Sequence, residues 1–285
     1  MFTVKAHAKL NWSLDILGTR PNGYHELDML MQHIELSDEL TFENARWTML
    51  TIDGQPLPVG GRNLIVRAAN ALNDYMGTRR GARIQLKKRI PVRAGLGGGS
   101  ADCAATLIAL NRLWKLRLTT DKLCEIGAKL GADVPFCIRG GLCRVSGIGE
   151  IIEPMPCGPR IPMVLLHPGG GLSTQAVFGR FDAEHYPTLH VDTPAVARAV
   201  QAGDIAAYDA CSGNALEAPA ISLMAEVRTA MEQLRAAGAG AVRMSGSGSA
   251  VFGLFETDEQ AQRAAQELPG AILTASLNES EGGEL

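Results

Sequence analysis

The stretch Pro91-Val92-Arg93-Ala94-Gly95-Leu96-Gly97-Gly98-Gly99-Ser100-Ala101-Asp102 decides how the rest of the chain is read. Four of its five central residues, 95–99, are glycines. Backbone of that kind enters positive-φ conformations freely and approaches another group with no Cβ in the way. Ala101, Ala104, Ala105, Leu107, Ile108, Leu110, Leu113 and Trp114 follow at helical spacing. The pattern predicts a helix capped by Ser100 and running to about Lys115, with Asp102 in the first turn, where the helix dipole favours a negative charge. A glycine-rich loop feeding a helix N-terminus offers unpaired N–H groups to an anion, most often a phosphate. The alternative is a flexible loop before an ordinary amphipathic helix. Two familiar phosphate loops do not fit the spelling: Gly99 is followed by Ser-Ala rather than Lys-Ser/Thr, and the third glycine of a dinucleotide fingerprint is replaced by Ser100.

The 285 residues are enough for one large or two medium domains. A net charge of −3 gives no global attraction to nucleic acid or to an anionic membrane, so an anionic ligand needs a local basic patch. Lys87-Lys88-Arg89 and Arg93 offer one, although such a run more often forms a solvated strand face. The six cysteines show no CxxC pair and no His/Cys ligand spacing, and read as thiols in a reducing compartment. The N-terminus lacks the apolar core of a signal peptide, and no apolar run is long enough to span a bilayer. A cytoplasmic protein is expected.

Outward from the loop, residues 1–17 predict a long strand or two joined strands, with Lys9 and Asn11 on the face opposite Leu10 and Trp12. Pro21-Asn22-Gly23 is a turn, residues 24–39 are a mixed segment, and 40–42 and 49–52 are strand-like. Asn63 precedes a helix whose inner face carries Ile65, Ala68, Ala69, Leu72 and Met76, and Gly77 stops it. A strand at 84–88 leads into the glycine loop. A helix at about 120–130 ends at Gly131, and Asp133 then reads as the N-cap of a short helix. Strand-like stretches span 142–152, and the proline cluster at 154–159 marks a domain boundary. Beyond it come a buried strand at 161–166, a helix from Ser173-Thr174 carrying Val177 and Phe178, and helices near 194–202, 204–211 and 219–237. Strands at 241–244 and 250–255, a helix at 258–268 and a strand at 271–275 complete a ferredoxin-type α+β sandwich. The polar, acidic tail from about 278 is expected to be disordered.

Three features stand together: Ala8-Lys9-Leu10-Asn11, the glycine loop, and Ser245-Gly246-Ser247-Gly248-Ser249. The trio resembles the GHMP kinase superfamily of galactokinase, homoserine, mevalonate and phosphomevalonate kinases. Within it the likeness is to the branch whose acceptor is a cytidine-diphosphate-linked methylerythritol. That likeness rests on Arg20-Pro21-Asn22-Gly23-Tyr24-His25-Glu26-Leu27, Asn63-Leu64, Gly131-Ala132-Asp133-Val134-Pro135-Phe136, Asn214-Ala215-Leu216-Glu217 and the run from Met244 to Phe255.

The resemblance implies a two-domain α+β fold, with an N-terminal ATP-binding domain (1–153), a ferredoxin-like C-terminal domain (154–285) and the active site in the cleft between them. It implies transfer of the ATP γ-phosphoryl group to the 2-hydroxyl of the methylerythritol moiety, with Mg²⁺ as cofactor. It also implies Asp133 as the base and Lys9 beside it as the cation, a pairing that suits a poor hydroxyl nucleophile and a charge-spreading transfer. ATP would be held by Asn63, Leu64, Pro91, Ala94, Gly95, Leu96, Gly97, Gly98, Gly99, Ser100 and Ala101. Asn11, Tyr24, His25, Thr174, Gly246 and Ser247, together with Asp133, would bind the acceptor, Tyr24 and His25 taking the cytosine. The metal ligands are left open. The implied partners are these small molecules, not nucleic acid or membrane, and the chain is expected to be a monomer or weak homodimer.

Three departures from the family spelling stand out. Ala101 replaces a second serine, Arg93 stands where a small or apolar residue is commoner, and Ala215 replaces an aspartate. Another GHMP kinase acting on homoserine or mevalonate, or a nucleotide sensor without turnover, are the competing readings. The nucleobase block around Tyr24-His25 speaks against the first, and retention of Lys9 and Asp133 against the second.

Overall fold

The computed structural model describes residues 1–278; of the expected acidic tail, everything past Asn278 lies outside the described residues. Two sheets form the framework. The first holds β1 (Phe2–Thr19), β2 (His25–Ala45), β3 (Met49–Asp53), β4 (Gly81–Lys87), β5 (Leu142–Gly147) and β6 (Ile151–Met155). Its order is β3-β4-β2-β5-β6, with β1 paired antiparallel along β2. One end of β2 pairs with β4 and the other with β5, so this 21-residue strand carries the sheet. Residues 25–38, a mixed segment in sequence, belong to it. Met29 through Ile34 are all buried, which erases the period-two alternation by which a strand is recognised.

Helices cover one face of this sheet: α1 (Leu64–Met76), α2 (Gly98–Leu113), α3 (Thr120–Ala128) and α4 (Val134–Arg139). Helix α1 begins as its sequence predicts, with the Asn63 side chain accepting from Ile65 N–H at 2.9 Å. It ends at left-handed Gly77. Met76 departs from the expected inner face and is exposed. Helix α2 starts earlier than Ser100 predicts. Gly97, at φ 67°, is the N-cap, and Ala101 N–H makes the first helical bond to its carbonyl at 2.9 Å. Ser100 therefore sits inside the first turn, and Asp102 lies past it.

The second sheet runs β10-β7-β9-β8, built from β7 (Pro162–Leu166), β8 (Ala241–Met244), β9 (Val251–Leu254) and β10 (Ile272–Ala275). Counted within this half, that is the 4-1-3-2 order of a ferredoxin-like unit. Its helices are α5 (Thr174–Ala183), α6 (Thr193–Ala202), α7 (Ile205–Cys211), α8 (Glu217–Leu223), α9 (Glu226–Ala236) and α10 (Asp258–Glu267). The single helix expected at 219–237 is broken at Met224, whose φ/ψ of −148°/96° is extended. The Ser222 hydroxyl donates to Pro219 O at 2.8 Å, a local bond that competes with continuing the helix.

Strand β1 is buried on both faces, which explains its long apolar run. Leu10 and Trp12 point into a core shared with the second sheet. Trp12 meets Tyr208 and Phe252 edge-on at 5.3 and 5.9 Å, and Tyr208 Oη donates to Trp12 O at 2.8 Å. The two halves are thus locked across β1, and Lys9 and Asn11 emerge on its opposite face.

Candidate active site

A cavity of about 740 Å³ opens where the two halves meet. Its centre is built on β1. A register shift against β2 falls between His7 and Lys9, and Lys9 Nζ donates to Asn11 Oδ1 at 2.7 Å. The same ammonium lies 3.7 Å from Asp133 Oδ2. The lysine is 6% exposed and the aspartate 38%, so a buried cation faces a carboxylate open to the cleft. Asp133 takes the N-cap position of α4, as expected, but its side chain makes no capping bond. It is left available to Lys9.

Both glycine-bearing loops close on that lysine. A Cβ on Gly97 would fall 2.8 Å from Lys9 Cγ, and one on Gly246 would fall 3.2 Å from Lys9 Nζ. Lys9 N–H donates to Leu96 O at 3.0 Å. Gly95, at φ 78°, has no room for any side chain, because its Cβ would come 2.1 Å from Ser245 O. The Ser245 hydroxyl donates to Gly95 O at 3.0 Å and accepts from Asn11 N–H at 3.3 Å. Thr174 and Ser247 share a hydroxyl–hydroxyl bond of 2.9 Å across the cleft rim.

The two ends of the cavity differ in chemistry. Leu57, Pro58, Leu64, Pro91 and Val92 make an apolar slot beside the loop, with the Asn63 amide donating to Pro58 O at 2.8 Å. Tyr24, His25 and Phe178 line the other end. The His25 ring lies 4.8 Å from Phe178, tilted by 34°, and its Nε2 is 2.8 Å from Asp182 Oδ1. Arg93 and Ser100 reach the cavity as well. Ala94 and the remaining residues of the loop line it too, with the single exception of Ala101 among the expected contacts. Ala101 is buried in the core and its N–H is spent on Gly97 O, so it has nothing to offer a phosphate.

Two family models match: "GHMP kinases N terminal domain" over residues 63–141 and "GHMP kinases C terminal" over 195–272. A 4-diphosphocytidyl-2-C-methyl-D-erythritol kinase of Pelotomaculum thermopropionicum is 45% identical over 268 residues, covering 93% of each chain. The Geobacillus kaustophilus protein of the same name is 43% identical over 94% of this chain and 93% of its own. The chain belongs to the 4-diphosphocytidyl-2-C-methyl-D-erythritol kinases, a branch of the GHMP kinases. A solved 4-(cytidine 5'-diphospho)-2C-methyl-D-erythritol kinase superposes with a TM-score of 0.84 at 36% identity, covering 96% of this chain and 99% of that one. A homoserine kinase from Cytophaga hutchinsonii shares the fold at a TM-score of 0.68 and 18% identity.

As a GHMP kinase the chain uses ATP, and kinase chemistry implies magnesium. Among the described residues no group of three or more His, Cys, Asp or Glu could hold a metal by itself. Ser100 Oγ lies 3.7 Å from where a Gly131 Cβ would stand, beside the turn that carries Asp133. A hydroxyl and a half-open carboxylate facing one cleft suit a hard cation that keeps waters and takes most of its oxygens from phosphates.

Sequence reasoning missed four contributors in this GHMP kinase. Phe178 was assigned only to a helix face, and Asp182 to no role. Asn214 Nδ2 donates to both Met244 O and Gly246 O at 2.8 Å, holding the second glycine turn in shape. Lys88, read in sequence as part of a local basic patch or of a solvated strand face, is buried between Asp38 and Asp102. Burial pushes the Asp102 carboxyl up to about 7 against the pull of Lys88.

Proposed function

We propose that this kinase transfers the γ-phosphoryl group of ATP to the 2-hydroxyl of 4-diphosphocytidyl-2-C-methyl-D-erythritol. The observation that carries the reading is the 3.7 Å approach of Lys9 to Asp133 under Gly97, in the middle of a cavity with two unlike ends. The apolar slot by Leu64 and Pro91 suits the adenine. The 95–100 loop and the N-terminus of α2 suit the triphosphate, since the first N–H groups of a helix lack intrahelical partners and point outward. Tyr24 and Phe178 offer flat faces to the cytosine, and His25, with Nε2 taken by Asp182, keeps Nδ1 and its backbone for the ring edge.

Between the two ends the acceptor hydroxyl meets Asp133, which takes its proton as the bond to phosphorus forms. Lys9 neutralises charge on the transferred group, and its own position is held by Asn11. Asn11, Thr174, Gly246 and Ser247 border the acceptor between its hydroxyl and its base. Ser100 is the side chain best placed to hold Mg²⁺ together with the phosphates, and the ion would supply further charge neutralisation. No helix among the described residues is long and apolar enough to cross a membrane. The protein acts on dissolved small molecules in the cytoplasm, as a monomer or weak homodimer, with two domains that divide just past β6, because the expected boundary between 153 and 154 would cut that strand.

The test is ADP release with four acceptors side by side: the cytidylyl substrate, homoserine, mevalonate and phosphomevalonate. Turnover with the first alone is the expected result. Faster turnover with any of the others overturns the assignment.

A further inference from the structure

In the wall of the cleft, where Lys88 and Asp102 line the cavity, lies a charge cluster to which the transfer chemistry assigns no role. Lys88 Nζ donates to Asp38 Oδ2 at 2.5 Å and to Asp102 Oδ2 at 2.7 Å. The three side chains are 3%, 0% and 6% exposed, respectively. The second oxygen of Asp38 accepts Arg89 N–H at 2.6 Å and Ile90 N–H at 2.9 Å. Each partner comes from a different element. Asp38 is on β2, Lys88 to Ile90 are the residues by which the chain leaves β4 for the glycine loop, and Asp102 lies on α2 just beyond that loop.

We infer that Lys88 is a positioning residue for ATP: by holding Asp38 and Asp102 together it sets the gap between the entry of the glycine loop and the start of α2, and so the direction of the N–H groups at Gly98, Gly99 and Ser100. The ammonium sits directly against that start. A Cβ on Gly98 would fall 3.1 Å from Lys88 Nζ and 2.9 Å from Ile90 Cγ2, so the first helical residue rests on the lysine and on the loop's entry strand.

A stability role does not account for the arrangement. A buried ion cluster forfeits the hydration of every charge in it, and apolar residues of similar volume generally serve a core as well or better. What ions add over leucines is direction, because a charged hydrogen bond fixes both distance and angle. Here the direction is spent on two ends of one loop.

The inference rests on reading that loop as the cradle of the ATP phosphates, and the experiment keeps the two separable. The principal variant is K88M/D102N, which removes one positive and one negative charge and leaves Asp38 held by the N–H groups of Arg89 and Ile90 alone. Melting temperature, ATP affinity by calorimetry, and the KM values for ATP and for the cytidylyl acceptor are measured against wild type. The expected result is a folded protein whose Kd and KM for ATP rise by about tenfold or more while the acceptor KM changes little, the cost of misplaced but intact binding groups. K88R, which keeps the charge on a longer and differently shaped side chain, serves if the double variant does not fold, and the same split is expected of it. Unchanged ATP affinity, or equal losses for both substrates, in the variant that folds reduces Lys88 to a core strut and overturns the inference. G99L probes the loop itself, since Gly99 has open space on the cleft side, its nearest neighbour being Leu64 Cδ1 at 3.6 Å. If G99L binds ATP normally, the phosphate-loop reading fails and the inference with it. If G99L loses ATP but K88M/D102N keeps it, the Lys88 inference alone fails.

Discussion

Lys9 and Asp133, from the first strand and from the turn before α4, meet at 3.7 Å with the ammonium buried and the carboxylate half open to the cleft. A carboxylate held in that way lies beside a cation and within reach of an alcohol. Asp133→Ala should therefore lower kcat by about 10²–10⁴-fold, the usual worth of a positioned base. ATP binding should survive, because Asp133 makes no bond to the glycine loop. Single-turnover ADP formation and calorimetric ATP titration check both halves, and near-normal turnover would remove Asp133 from the base role.

The acceptor end gives an independent prediction. His25 is fixed by Asp182 at 2.8 Å and by the Phe178 face at 4.8 Å. His25→Ala should raise the acceptor KM by about 10²-fold, since a site built to pair a polar edge loses discrimination when that partner goes. The ATP KM should stay within error. Asp182→Ala leaves the imidazole present but unanchored, and a smaller rise of a few fold is expected. Equal effects of His25→Ala on both substrates would refute the cytosine assignment.

The glycines of the loop are not equivalent, and their substitutions should separate. Gly95→Ala puts a Cβ at φ 78° and 2.1 Å from Ser245 O, which is backbone and cannot swing away. A loss of about 2–4 kcal/mol is expected from strain and displaced packing together. Gly99→Ala meets only Leu64 Cδ1 at 3.6 Å, inside the first turn of α2. It should be neutral or gain up to about 1 kcal/mol from helix propensity. Urea unfolding of the two variants checks the contrast, and similar values for both would contradict it.

Much of the site was legible because its residues sit in short local patterns. A glycine loop before an apolar helix, a lysine alternating with core residues on β1, and an aspartate between a helix end and a proline can each be seen in a window of ten residues. What escaped depends on distant partners. Lys88 looks like one of three solvated basic residues until Asp38 and Asp102 arrive from other elements. Asp182 is an ordinary polar position on α5 until the other half of the molecule brings His25 against it. Asn214 belonged to a visible motif, yet its task of gripping the Gly246 turn exists only across the fold. The start of α2 was misplaced for a local reason: Ser100 has the better capping side chain, but left-handed Gly97 needs none to turn the chain.

His33 links the fold to pH. It is buried on β2, its ring 6.2 Å from His7 and 5.1 Å from Phe136, and its Nε2 has no hydrogen-bond partner among the described residues. Burial first, and then the neighbouring His7, hold its pKa down from 6.5 to about 3. The unfolded chain therefore binds a proton that the folded protein refuses. The contribution of His33 is fully present above pH 6.5 and is lost as pH falls toward 3, with about 2 kcal/mol gone by the middle of that window. His33→Gln cannot take up that proton. Its unfolding free energy should fall less than that of the wild type between pH 7, above the window, and pH 4.5, near its middle. Urea titrations of both proteins at the two pH values decide the matter, and parallel losses would show that the acid sensitivity lies elsewhere.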